Sequence, residues 1–449
     1  MGLLSLVKNF RAPALPIATR LYDEQSANLM TSVLRIYFNQ LDQLLYQIVE
    51  SIGRVSSVAL VGGAIDAFGR ARFSQPYTIF DSQNRYQQNG YFDTSLTSGG
   101  TTTYLPNEST VRFDVTTASG SEVVRQSLKV FPYQPGKSLL VMNTFAFNAA
   151  KANLRQRVGY FSTQNGVFLE QDGLVVYLVR RTYVSGAVVE TRIAQTDWNT
   201  DKLNGAGDSG YTLDVTKTQI FWQDFEWLGV GSVRCGFVID GQTIIAHQFN
   251  NANSLTTVYM TTAILPIRYE ITNTGVTASA SSMKQICSTV ISEGGYEKKV
   301  ALSVARRTTT VTGITTSFVP LVSIRLASDR LDAVVIPDGY SVLPTTTGDY
   351  EVALIKNATL TAASYDTTTF PNVDFDVAAT ALTGGTIVES RFISLTNQSA
   401  APAQGGEDYN FDLQLGRTIA GVSDVYTVAV RALAGSQTVI GNMSFWDLT

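Results

Sequence analysis

Residues 221–270 read FWQDFEWLGVGSVRCGFVIDGQTIIAHQFNNANSLTTVYMTTAILPIRYE, and their centre decides the fold class. Val233, Cys235, Phe237 and Ile239 alternate with Arg234, Gly236, Val238 and Asp240. After Asp240-Gly241 the alternation resumes from Thr243 to Phe249. Two period-two runs joined by Asp-Gly specify a β-hairpin, because both turn residues tolerate the positive φ of a two-residue turn. A regular hairpin of this kind sets Arg234 opposite His247 and Cys235 opposite Ala246, so Cys235 and His247 are expected on opposite faces. The stretch concentrates aromatic and β-branched residues in strand-length pieces, which is the composition of sheet interior. It carries no recognised reaction chemistry.

Outward from the hairpin, the same texture runs back to about Gly69. Asn89-Gly90, Gly99-Gly100, Ser119-Gly120, Pro135-Gly136, Asn165-Gly166, Asp172-Gly173 and Ser185-Gly186 punctuate it as turns. Between them lie expected strands at 110–116, 122–130, 139–147, 166–169, 174–183 and 187–194. Short strands at this spacing predict an antiparallel β-sandwich over residues 66–299, lectin-like and jelly-roll-like by analogy of layout. Residues 297–313, EKKVALSVARRTTTVTG, are the most basic local segment. They read as a connector or as a solvated strand pair. A second β-sandwich is expected over 300–449, with strands at 321–326, 332–336, 350–355, 386–394, 409–415, 425–432 and 439–445.

The N-terminal part differs. Residues 1–21 contain Pro13 and Pro16 and predict an extended arm, and Asp23 is a suitable helix N-cap. Ala27, Met30, Leu34, Tyr37, Leu41, Leu44 and Ile48 then step by threes and fours, a coiled-coil-like seam. Val33, Phe38, Leu45 and Ile52 widen it beyond a two-stranded stripe, and Gly53, Gly62 and Gly63 set it apart from the β-rich remainder of the chain. The fold class is therefore mainly β: an oligomerisation or docking helix within residues 1–65, then two antiparallel sandwiches. A homotrimer is the expected assembly.

The chain has 449 residues, of which 44% are hydrophobic and only 16% charged. The charged share falls below the usual level of about 25%. Low-charge, Thr-rich surfaces suit sandwiches and assembled shells. The net charge of −4 offers no basic footprint for nucleic acid. No apolar run reaches the ~18 residues of a membrane span, so no membrane insertion is expected. The N-terminus MGLLSLVKNF lacks a signal-peptide pattern, so maturation in a reducing cytoplasm is expected. The two cysteines, Cys235 and Cys287, lie in apolar strand-like runs and read as free thiols.

Tests for chemistry give little. His247 is the only histidine, so any Ser-His-Asp or Cys-His arrangement must use it. Gly205, Gly207 and Gly210 spell G-x-G-x-x-G, but residues 211–215 after them look like a strand rather than a helix, so the motif reads as a turn. Asp197, Asn199, Asp201 and Asp208 have an EF-hand-like spacing, yet Lys202 stands where Gly is needed and no Glu closes the loop. Asp224 and Glu226 share a strand face beside Trp222 and Trp227. These four are the candidate glycan contacts; the two carboxylates are of the type that glycosidase chemistry needs, and read first as polar partners in a strand ladder. No cofactor, no metal and no enzymatic activity are expected.

Several blocks resemble virion structural proteins of tailed bacteriophages, particularly marine and cyanobacterial ones. They are DFEWLGVGSVRCGFVIDG (224–241), HQFNNAN (247–253), LPIRYEI (265–271) and ICSTVISEGGY (286–296). DWNTDKLNGAGDSG (197–210), PLVSIR, LTAASYD and DVAATALTGGTIVES look like the same family. The resemblance implies a particle component assembled in the host bacterial cytoplasm: a fibre, spike, knob or capsid decoration that mounts on tail or capsid proteins. It supplies no catalytic residues. Two functions are therefore expected, a projecting virion component that serves host attachment and, alternatively, a glycan-binding or glycan-degrading receptor-binding protein.

Overall fold

The computed structural model describes residues 24–56, 74–298, 302–396, 403–405 and 409–449. The expected arm, the Asp23 cap, Gly62, Gly63 and Gly69 lie outside the described residues. The chain divides into two compact units, Met1–Phe73 and Ser74–Thr449.

Among the described residues of the first unit, a helix spans Glu24–Ser56. At 33 residues it is about 50 Å long. Glu24 sits in its first turn, where a negative charge favours the helix dipole.

The second unit is mainly β, built from antiparallel sheets. A first sheet of eight strands centres on Gln219–Phe225, Leu139–Ala146 and Ser281–Ser292. A second, of seven, centres on Gly166–Asp172, Leu154–Phe161 and Ile267–Asn273. One apolar cluster draws Phe113, Val141, Phe145, Phe221 and Phe237 from the first and Val158, Tyr160, Leu169, Tyr269 and Ile271 from the second. Two further sheets, of five and six strands, share another cluster that includes Val342, Met443 and Phe445 with Val322, Ile324, Val352 and Val428. Each such side chain buried is worth roughly 1.5–3 kcal/mol.

The hairpin forms as expected from Val233–Ile239 and Gln242–Phe249, with Asp240 and Gly241 at φ 50° and 75°. Its register is corrected by a β-bulge. Gly236 pairs with Ile245, but Cys235 pairs with His247 and Arg234 with Gln248. Ala246 is the extra residue. Its carbonyl, freed from the ladder, accepts the backbone N–H groups of Thr200 and Asp201 at 3.2 and 3.1 Å. Gly236 permits this geometry. A Cβ there would stand 1.9 Å from the Ile244 carbonyl oxygen and 2.9 Å from the Trp222 ring.

The second sheet's other face is charged, yet buried. Arg157 reaches Glu170 at 2.6 Å and Glu270 at 3.4 Å, and Arg268 reaches Glu270 at 2.5 Å. Against the upward push of burial, Arg268 and Arg157 hold the Glu270 carboxyl below its usual range. Phe161 and Phe168 stack in this lattice beneath Arg181. They lie over Gly166 and Gly159, where a Cβ would collide with them.

Residues 409–415, expected as a strand, instead form a 3-10 turn at Phe411–Leu413. Lys129 takes its carbonyls. The ammonium donates to the Phe411 and Asp412 oxygens at 2.7 and 2.8 Å. Gln414 donates to the Val130 carbonyl at 2.8 Å, and the Arg417 N–H to that of Leu128 at 2.7 Å. Phe411 packs into the first core together with Val334 and Ile336. The segment expected as a connector is largely sheet: Leu302–Arg306 and Val311–Ile314 both pair with Gln437–Asp447, while residues 299–301 lie outside the described residues.

Gly236→Ala is expected to destabilise the β unit by about 3 kcal/mol or more, since backbone is what the new methyl meets. Urea unfolding followed by tryptophan fluorescence checks this. Burial pushes the Lys129 ammonium down from 10.5 to about 8. The folded chain then binds fewer protons here than the unfolded chain between those values, so this group's contribution to stability rises with pH across that window. The stability of the wild type relative to Lys129→Met is expected to grow from pH 8 to pH 10. Melting temperatures of both proteins across that range check it, and a constant difference goes against a buried ammonium.

Candidate functional site

Strand Gln219–Phe225 runs between Leu139–Ala146 and Val233–Ile239. Its alternation sends Phe221 and Phe225 into the core, so Trp222 and Asp224 face the other way. Asp224 lies opposite Arg234, which donates to its carboxylate. Just past the strand, Glu226 accepts the N–H and hydroxyl of Ser232 at 3.2 and 3.1 Å. Both carboxylates line one cavity of about 500 Å³, together with Lys137, Arg234 and Gln248. Burial raises the Asp224 pKa, Arg234 opposes this, and Glu293 and Glu226 add to it. Charge is therefore held at a cost there, a common mark of functional sites.

Trp227 faces a second cavity of about 510 Å³, on the other side of Tyr133 and Lys137, which line both. Its walls include Tyr133, Trp227 and Tyr296, and Leu448 and Thr449 close it from the C-terminal end of the chain. The rings of Tyr133 and Trp227 meet edge to face at 6.1 Å. Two residues that line this cavity carry buried donors, Lys137 Nζ and Trp227 Nε1, with no hydrogen-bond partner among the described residues. Lys137 Nζ stands 3.9 Å from Glu297, beyond hydrogen-bond reach. The lysine stem rests on Gly294, where a Cβ would lie 2.5 Å from its Cγ.

The four candidate glycan residues thus fall in three places. Asp224 and Glu226 share the polar cavity, and Trp227 lines the aromatic one. Trp222 is 4% exposed, packs over Gly236 and lines neither. Sequence reading missed Tyr133, Lys137 and Tyr296. The Pro135-Gly136 turn was visible, but no local pattern brings it beside Trp227.

His247 and Cys235 are ladder partners, which corrects the expected opposition of faces. Burial pushes the Cys235 thiol up and the His247 imidazole down to about 4, so both stay neutral. His247 Nδ1 accepts the Asn199 N–H at 3.3 Å. The glycine motif is a turn around Asp201, whose carboxylate accepts the N–H groups of Leu203 and Ser209 at 2.8 and 2.9 Å. A Cβ on Gly207 would meet that carboxylate at 2.2 Å. Among the described residues, no three His, Cys, Asp or Glu side chains converge as a metal site.

On the helix, Ala27, Leu34, Tyr37, Leu41 and Leu44 are half-buried and Met30 is exposed; the Ile48 side chain lies outside the described residues. Leu29, Ile36, Phe38 and Leu45 are 56%, 58%, 56% and 50% exposed, so apolar surface extends beyond the seam.

No protein-family model and no curated protein matches the chain. Solved structures similar to parts of it include the Emp47p carbohydrate recognition domain, with 10% identity, TM-score 0.28, and 51% of this chain and 98% of that one covered. The CBM2 module of the evolved Dit of Lactobacillus casei BL23 phage J-1 has 7% identity and TM-score 0.33, over 50% of this chain and all of that one. The botulinum neurotoxin serotype G binding domain has 10% identity and TM-score 0.30, over 54% and 57%. At these TM-scores none of them fixes a function for this chain.

Asp224→Asn is expected to raise stability at pH 7. The raised folded pKa means that ionised Asp224 opposes folding above it, so the gain is expected to vanish near pH 3. Denaturant titrations at both pH values check this.

Proposed function

We propose that the chain is a structural component of a bacteriophage virion, a projecting fibre, spike or knob-type protein that serves host attachment. Residues 1 to about 60 mount it on tail or capsid proteins. The observation that carries this is the helix Glu24–Ser56, which keeps Leu29, Ile36, Phe38 and Leu45 exposed outside its seam. A helix apolar on so wide a face needs a partner along its length. A homotrimer, with helices meeting in a coiled coil, provides one. Each pair of sheets that shares a core reads as a β-sandwich, jelly-roll-like in the first case. Edge strand Thr386–Leu395 supports assembly, because it carries Ile387, Val388 and the 67% exposed Phe392 at the end of its sheet. The blocks that resemble phage virion proteins agree.

A second reading is glycan binding by the projecting part. The aromatic cavity around Trp227 favours it, as aromatic walls suit the C–H faces of sugars. No hydrolase activity is proposed. Asp224 and Glu226 are each engaged by a neighbour of their own chain, and His247 is held neutral.

Deletion of residues 1–60 is expected to leave folded, soluble β domains that no longer enter particles. Leu34→Asp with Leu41→Asp is expected to do the same. Copy number in purified particles, measured by quantitative mass spectrometry, checks both. Normal copy number for either variant places the mount elsewhere.

A further inference from the structure

We propose that strand Thr386–Leu395 pairs edge to edge with the same strand of a second copy, antiparallel, about a two-fold axis at Ser390. This goes beyond the virion reading and does not depend on it. The strand ends its six-stranded sheet and is paired on one side with Gly348–Lys356. Among the described residues, no strand pairs with its other side. Such an edge presents a row of backbone donors and acceptors that fits another strand. The usual protections are sparse here. The strand reads TIVESRFISL, with neither Lys nor Pro, and its bulge, where Val388 is the extra residue, lies toward one end. Ile387 and Phe392 are 50% and 67% exposed.

The sequence of the strand selects a copy of itself as the occupant. In an antiparallel pair centred on Ser390, Glu389 of each copy faces Arg391 of the other, and Val388 faces Phe392. Opposite charges and apolar pairs are the combinations that stabilise neighbouring strands, and like charges directly opposite destabilise them. Moving the axis by one residue sets Glu389 against itself or Arg391 against itself, so the charges also fix the register. Within one copy Arg391 binds Glu389 at 2.5 Å, and the Tyr409 hydroxyl donates to the same carboxylate. The charges are therefore positioned before two copies meet, and pairing continues their alternation of sign across the axis. A comparable edge, Leu302–Arg306, also exposes Leu302 and Val304, but a two-fold at Val304 sets Leu302 against Arg306. A two-fold contact is closed by two copies and cannot lie within a threefold helix bundle, so it joins one such assembly to the next.

The experiment follows the mass of the full chain by sedimentation velocity over a wide concentration range. The wild type is expected to show a mass-doubling step. Glu389→Arg gives the strand two positive charges and Arg391→Glu gives it two negative ones. Each alone is expected to weaken that step by about tenfold or more, because both facing pairs become repulsive. The two variants mixed in equal amounts are expected to regain it. Unchanged melting temperatures certify both as folded. Ser390→Cys gives a second readout that leaves the charges intact: the introduced thiols meet at the axis, so mild oxidation is expected to link two copies at position 390, as identified by peptide mass spectrometry. The doubling step is expected to persist in Leu34→Asp with Leu41→Asp, so failure of the helical mount and failure of this contact are read separately. No doubling in the wild type, undiminished doubling in both charge variants, a mixture that stays apart, or no link at position 390 overturns the strand pairing.

Discussion

A buried ammonium sits at the centre of the joint between the two β regions. Lys129 crosses from the first region to the Phe411 and Asp412 carbonyls of the second, and backbone bonds at Leu128 and Val130 flank it. Burying a charge is unfavourable, and two carbonyl dipoles offset part of that cost here. These directional bonds set an orientation, and Phe411, Val334 and Ile336 pack into the first core beside them. The aromatic cavity depends on that orientation. One wall comes from the segment around Tyr133, the other from Leu448 and Thr449 of the last strand's end.

The bulge in the central hairpin is a second fixed point. One extra residue, Ala246, leaves a carbonyl without a ladder partner, and the loop at Thr200 and Asp201 supplies the donors. That loop in turn is shaped by the Asp201 carboxylate and by the absence of a side chain at Gly207. Two blocks that resemble phage virion proteins, 197–210 and 224–241, therefore serve one structural feature. Residues of both blocks hold the bulge open.

Polar burial is handled in two ways. On the second sheet's charged face, arginines and glutamates pair with one another and arginines stack on Phe161 and Phe168, so desolvated charge is compensated within the chain. Beside the aromatic cavity, Lys137 Nζ pairs with Glu297 at 3.9 Å, while Trp227 Nε1 has no hydrogen-bond partner among the described residues.

Local rules reached a good part of this architecture from the sequence. Period-two alternation around Asp240-Gly241 determined the hairpin, because side-chain direction and turn φ are local properties. The three-four spacing from Ala27 onward determined the helix for the same reason. The strand Val425–Ala432 matches its expected bounds, since a continuous apolar β-branched run has few alternatives. Other features waited for tertiary contact. Residues 409–415 have a strand's composition, but Lys129, almost three hundred residues earlier, recruits their carbonyls into a turn. The register of Cys235 and His247 turned on Gly236 meeting the Trp222 ring and on donors from a distant loop, neither encoded in the hairpin itself. The candidate site divides likewise. Asp224 and Glu226 were legible because residues two apart on extended backbone project to one side, and Glu226 falls just past the strand's end. Tyr133, Lys137 and Tyr296 join Trp227 only where separate sheets and the chain's C-terminal end close around one space, and no sequence spacing carries that information.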